Sequence, residues 1–201
     1  GGAAALVSLL ELQQTELSRV ALAATAFTLL VGAISFSGSV ITYLKLQELM
    51  TTRPVLFPGG PVVFGASLLA SAGLAGYTVS SGSTTIAVAT ASAGLLVGIL
   101  LVLPVGGADV PVVISLLNAF TGLAVAAAGY VLGNTLLLVA GTLVGASGTI
   151  LTRAMAVAMG RSIAGILFGA FIGGSTAGSK DVTRTRPVKS AGPDDIAILL
   201  A

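Results

Sequence analysis

The chain has 201 residues, 55% hydrophobic and only 8% charged, with a formal net charge of +2. Soluble domains carry about 25% charged residues, so a bilayer is the expected solvent, in line with a mean hydropathy of +1.07. The absence of Cys and His excludes zinc sites, thiol catalysis and Ser-His-Asp chemistry from this chain. No Gly-rich phosphate loop follows a strand, and no basic stripe with interleaved aromatics supports nucleic-acid binding.

Spanning helices need about 20 apolar residues. The chain opens on Gly1-Gly2 without Met and without the basic start of a signal peptide. Residues 3–10 are therefore expected to be the end of a span whose beginning is missing, closed by a polar turn from Glu11 to Glu16. Leu17 to Leu44 is the first full span, between Arg19 and Lys45. Lys45 to Gly60 carries Glu48, Arg53, Pro54 and Pro58 and reads as a loop. Pro61 to Tyr77 is the second span, followed by a tight turn at Ser80 to Ser83. Thr84 to Leu103 is the third, stopped by Pro104 and Gly106-Gly107. Val110 to Leu132 is the fourth, Gly133-Asn134 a turn, and Thr135 to Met159 the fifth. The fold class is thus all-α: a polytopic transmembrane bundle of five complete spans and a truncated N-terminal one, over residues 1–160. Residues 161–192, basic and Gly-rich after Ile172, form a linker. Gly192-Pro193-Asp194-Asp195 then marks a helix start, so 193–201 is expected to open a further domain.

Alternating the loops puts Lys45, Arg53, Arg153, Arg161, Lys180, Arg184, Arg186 and Lys189 on one side and only Arg19 on the other. The positive-inside rule assigns the majority side to the cytoplasm, and Asp109 falls there too, at the mouth of the fourth span.

Helices in lipid pack through small residues. Gly141, Gly145 and Gly148 recur at helical spacing on the fifth span, Gly94 and Gly98 on the third, Gly32, Ser35, Gly38, Ser39 and Thr42 on the first, and Ser115, Asn118, Gly122 and Gly129 on the fourth. Such faces serve packing in any tight bundle and can equally border a water path. Asp109, before Val110-Pro111, suits a helix N-cap; it can also pair with a cation on its own side, and Arg161 is the natural one. Asn118 lies about 12 Å along its helix at 1.5 Å per residue, near the middle of the bilayer. An amide there needs a partner in protein or water: it is either interhelical glue or a group that holds water on a polar pathway. Ser115 and Thr121, three residues to either side, lie near the same face. Between Arg53 and Arg153 the only ionisable group besides tyrosine is Asp109. If protons cross, their carrier comes from outside this chain.

The run GGADVPVVISLLNAFTGLAVAAAGYVLGN, followed by LLVAGTLVGASGTIL and AMGRS, resembles the beta subunit of the proton-translocating NAD(P) transhydrogenases. The resemblance extends upstream through GAISFSGSVITYLKLQ and downstream through RPVKSAGPDDIAILL, which looks like the lead-in to an NADP(H)-binding domain. It covers nearly the whole chain, more loosely at 11–20 and 48–85. It implies a membrane domain that couples inward proton flow to hydride transfer from NADH to NADP, in a bacterial inner membrane. The implied partners are the alpha subunit with its own membrane helices and NAD(H) domain, the NADP(H)-binding domain of the same subunit, a second alpha–beta unit and the lipid. NAD(H) and NADP(H) would bind outside residues 1–201, with no metal. By matching motifs, the pathway Asn falls on Asn118 with Ser115 and Thr121 beside it. The gating acid falls on Asp109, the closing Arg on Arg161, and the Gly face of the last span on Gly141, Gly145 and Gly148. The family's intramembrane His has no counterpart here; in some members the alpha subunit supplies it. A small-ion or solute transporter would instead place a charged mid-membrane site within the chain, and a structural anchor would tolerate apolar residues at the mid-helix polar positions.

Overall fold

The computed structural model describes residues 1–14, 18–56 and 58–168. These residues fold into helices α1 (Gly2–Gln14), α2 (Arg19–Leu46), α3 (Gly60–Ser81), α4 (Thr84–Val102), α5 (Val110–Val131), α6 (Thr135–Ala158) and α7 (Ile163–Phe168), with one 3-10 turn at Gly107–Asp109. Helices α2 to α6 are each long and apolar enough to cross a membrane. The fold is an all-α, multi-pass bundle. At 1.5 Å per residue, the 13 residues of α1 reach only about 20 Å, short of a hydrocarbon core of about 30 Å.

The helix ends follow local chemistry. Ser18 caps α2, its hydroxyl accepting from the Ala21 N–H at 3.2 Å. Pro61 stands in the first turn of α3, where its missing N–H costs nothing. Between α5 and α6, Gly133 takes φ +61°, a value that side chains resist, and Asn134 accepts from the Leu137 N–H at 3.1 Å. Three boundaries differ from the sequence expectation. Helix α1 continues through Gln14, so Glu11 is helical; Thr15 to Leu17 lie outside the described residues. Helix α2 takes in Lys45, because that side chain is satisfied inside the bundle. Helix α3 runs to Ser81, leaving Gly82 at φ +59° to make the turn.

Helices α2 and α5 form the centre. Half of the most apolar stretch of each is buried (50%), against 17% for α3 and 22% for α6. The outer faces of α3 and α6 carry Val62, Leu69, Leu136 and Ile150, all more than 70% exposed. Apolar side chains exposed all along two helices suit lipid or a neighbouring membrane helix, not water. The most extensive helix contact joins α5 to α6, backbone to backbone. A Cβ on Gly122 would lie 2.9 Å from both the Gly141 carbonyl oxygen and Gly145 Cα, and one on Gly148 2.9 Å from Ala119 Cα. One on Gly141 would meet Gly122's carbonyl at 2.7 Å. Only glycine permits this approach. Helices α2 and α4 meet similarly at Gly94, whose Cβ would lie 2.9 Å from Leu30's carbonyl.

After α6 the chain turns at Gly160 and Arg161 into α7. Ile166 is buried in the same apolar cluster as Val105, Val112, Val113 and Ala156, and the Phe168 ring lies 5.9 Å from that of Phe64. The first residues of the expected linker are therefore seated on the bundle. The rest of that linker and the domain start at 193–201 lie outside the described residues.

Candidate functional site

Helix α5 carries or adjoins every candidate polar position, and two polar clusters flank its middle. On one flank Ser115, 6% exposed, faces α6. The Gly148 carbonyl lies 2.7 Å from the Thr152 hydroxyl and 3.3 Å from that of Ser115, and the two hydroxyls are 3.0 Å apart. On the other flank Ser35 of α2 donates to the Leu117 carbonyl at 2.9 Å and lies 2.5 Å from the Thr121 hydroxyl. Since Ser35's single proton goes to the carbonyl, Thr121 is the donor between the two hydroxyls.

Asn118 lies between these flanks and is exposed on the surface of the chain. Its amide makes no hydrogen bond to any described residue. Three residues turn a helix by about 300°, so Ser115, Asn118 and Thr121 fan across about 120° of α5. They do not share one contact. Ser115 goes to α6, Thr121 to α2, and Asn118 looks out of the groove between them.

At the end of the bundle that carries Lys45 and Arg53, the 3-10 turn delivers Asp109. The carboxylate makes no cap to α5. Its Oδ2 instead accepts from Nη1 of Arg161, just past the end of α6. Asp109 is almost fully enclosed, its side chain 2% exposed against 21% for that of Arg161. Asp109 Oδ1 is buried without a partner among the described residues. The pair thus ties the start of α5 to the end of α6, across the glycine seam of Gly122, Gly141, Gly145 and Gly148.

Three participants did not stand out in the sequence as site residues. Thr152 extends the Gly141, Gly145, Gly148 spacing by one turn, a signal that was there to be read. Ser35 sat within the small-residue face of the first span and carries two hydrogen bonds. Lys45 looked like an edge charge; the residue is 1% exposed and its ammonium donates to the carbonyls of Val102 at 3.1 Å, Leu103 at 2.6 Å and Val105 at 2.8 Å.

Fold and site together define a multi-pass membrane domain whose polar groups converge on one central helix and on the charged end of the bundle. The profile of the NAD(P) transhydrogenase beta subunit family matches residues 1–201. NAD(P) transhydrogenase subunit beta of Rhodospirillum rubrum is 40% identical over 173 residues, 86% of this chain and 37% of that protein. The subunit of the same name from a defined strain of that organism gives the same figures. The chain belongs to the NAD(P) transhydrogenase beta subunit family and spans 37% of the length of these relatives.

Proposed function

We propose that this chain is the proton-translocating membrane domain of a transhydrogenase, coupling inward proton flow to hydride transfer from NADH to NADP. The observation that carries the reading is Asn118. It presents an amide about 12 Å into the span, with no partner among the described residues, between two hydroxyl clusters. Placing an unsatisfied amide in hydrocarbon costs several kcal/mol, so the groove faces protein or water in the assembled enzyme. Among the described residues no carboxylate or imidazole lies beside it, so the group that takes and gives the proton belongs to a helix packed into that groove. The alpha subunit is the proposed source. Asn118, Ser115 and Thr121 order the water through which that group exchanges its proton.

Asp109 and Arg161 form the gate at the charged end, which the positive-inside rule assigns to the cytoplasm of a bacterial cell with this protein in its inner membrane. The pair stands where α6 gives way to the connection toward the NADP(H)-binding domain, so its opening and closing can be passed along the chain. The described residues do not fit a nicotinamide dinucleotide. They hold no strand-to-helix Gly-rich turn, and the Arg161 and Lys45 cations are already engaged within the bundle. In this reading NAD(H) and NADP(H) bind in domains outside the described residues. Each charge crossing about 100 mV yields about 2.3 kcal/mol, enough to shift a two-state domain equilibrium nearly fiftyfold at about 1.4 kcal/mol per decade.

The test is reconstitution of the alpha–beta enzyme, in its dimeric form, in sealed liposomes with nucleotides outside. Reduction of an NAD analogue by NADPH should acidify the interior, and an uncoupler should abolish the change. Hydride transfer with no pH change would refute the reading and leave the domain as an anchor.

A further inference from the structure

Lys45 is a buried cation in an apolar cluster, and among the described residues no carboxylate pairs with it. What it holds is backbone. Helix α4 ends at Val102, where Pro104 prevents its continuation and the Val105 N–H folds back to the Val102 carbonyl at 3.1 Å. The Lys45 ammonium adds a second donor to that carbonyl and binds those of Leu103 and Val105, using all three of its protons. The negative ends of two helix dipoles, α2's own and α4's, converge on the same charge. Two further bonds lock this turn to the loop after α2. The Val55 N–H donates to Leu103's carbonyl at 3.1 Å, and the Gly107 N–H to Thr52's carbonyl at 3.0 Å. The chain then runs directly into the 3-10 turn, where the Asp109 N–H donates to Gly106's carbonyl at 3.0 Å, and so to the carboxylate paired with Arg161.

We infer that Lys45 is a positioning residue for the Asp109–Arg161 gate: its ammonium fixes the 102–107 turn that aims the Asp109 carboxylate at Arg161. The inference rests on the proton-translocation reading for its functional consequence and on the hydrogen bonds alone for its structural one. Arginine in place of Lys45 would keep the charge and the donors but not release a proton, which separates a fixed clamp from a proton carrier.

The experiment uses the full alpha–beta enzyme with Lys45→Met, Lys45→Arg, Asp109→Asn and the Lys45→Met/Asp109→Asn double variant. Hydrogen exchange across 103–109 is measured beside proton uptake into liposomes, with hydride exchange and the protection of α6 as folding controls. Lys45→Met should raise exchange at 103–109, leave α6 protected and cut coupled acidification about tenfold to a hundredfold, as small misplacements of a reacting group do. The double variant should be no worse than Asp109→Asn, and Lys45→Arg should recover protection and coupling together. Unchanged exchange in Lys45→Met would overturn the clamp. Losses that multiply in the double variant would show that Lys45 acts elsewhere. Protection restored by arginine without coupling would make Lys45 a proton carrier instead. A parent enzyme that moves no protons would defeat the functional reading, while the exchange data would still decide whether Lys45 holds the turn.

Discussion

Asp109 and Arg161, 52 positions apart, are paired where α5 begins and α6 has just ended. The bond closes a hairpin whose two helices are already in backbone contact along the Gly122–Gly141–Gly145 seam. Removing one member of a fully buried pair costs about 3–5 kcal/mol, because the other is left desolvated and alone; here that applies to the stranded Asp109 carboxylate, and less to Arg161, whose side chain is 21% exposed. Asp109→Ala and Arg161→Ala should therefore each lower the thermal unfolding midpoint of the purified enzyme. The double variant should lose less than the two single losses added, since it strands no charge. Strict additivity in a double-mutant cycle would show that the pair is not an energetic unit.

The glycine seam predicts a contrast between two kinds of glycine. At Gly122 even a methyl group would enter the space of the Gly141 carbonyl and Gly145 Cα. Gly122→Ala should destabilise by about 1–3 kcal/mol, the usual range for overpacking. At Gly73 and Gly76 on α3 an added Cβ meets nothing within 4 Å. There alanine should be neutral, or stabilising by up to about 1 kcal/mol from helix propensity. Midpoint shifts of the three variants in one detergent would check the order. A Gly122→Ala midpoint equal to that of Gly73→Ala would mean that α5 and α6 are not in this contact.

The Ser35 and Thr121 hydroxyls should behave as one unit. Ser35→Ala removes the acceptor of Thr121 and the donor to Leu117's carbonyl together. Interhelical hydrogen bonds in membranes are worth about 0.6–2 kcal/mol, so the loss in stability should be modest. The loss in proton-coupled turnover should exceed it, because Thr121 belongs to the proposed water path. Ser35→Ala and Thr121→Val combined should then resemble either alone, measured as coupled rate over hydride exchange rate. If that ratio is the same in all variants and the parent, the two hydroxyls serve packing only.

Much of the architecture was legible because the chain punctuates its spans with local signals. Pro61, Gly82, Pro104 and Gly133-Asn134 each fall at a helix end, and apolar runs of spanning length lie between them. The side chains at the ends were harder. Asp109 before Val-Pro allows either an N-cap or a pair with Arg161, and the sequence leaves both open; in the fold it makes no cap and pairs with Arg161. Lys45 closes a span as any membrane-edge lysine would, and only the arrival of α4's C-terminus turns it inward. The spacing of Ser115, Asn118 and Thr121 put them near one face, yet 60° of drift at each step sends the outer two to different neighbours. Which direction Asn118 faces depends on how α2 and α6 flank α5, and no local pattern encodes that.

Asn118→Leu keeps the branched shape and heavy-atom count, removes the amide and leaves the nucleotide domains untouched. The most direct measurement follows internal pH in liposomes holding the alpha–beta enzyme, parent or Asn118→Leu, while NADPH reduces an NAD analogue outside. The parent should acidify the interior, the variant should not, and both should retain hydride exchange. Equal acidification by the two enzymes would contradict this and leave Asn118 as interhelical glue.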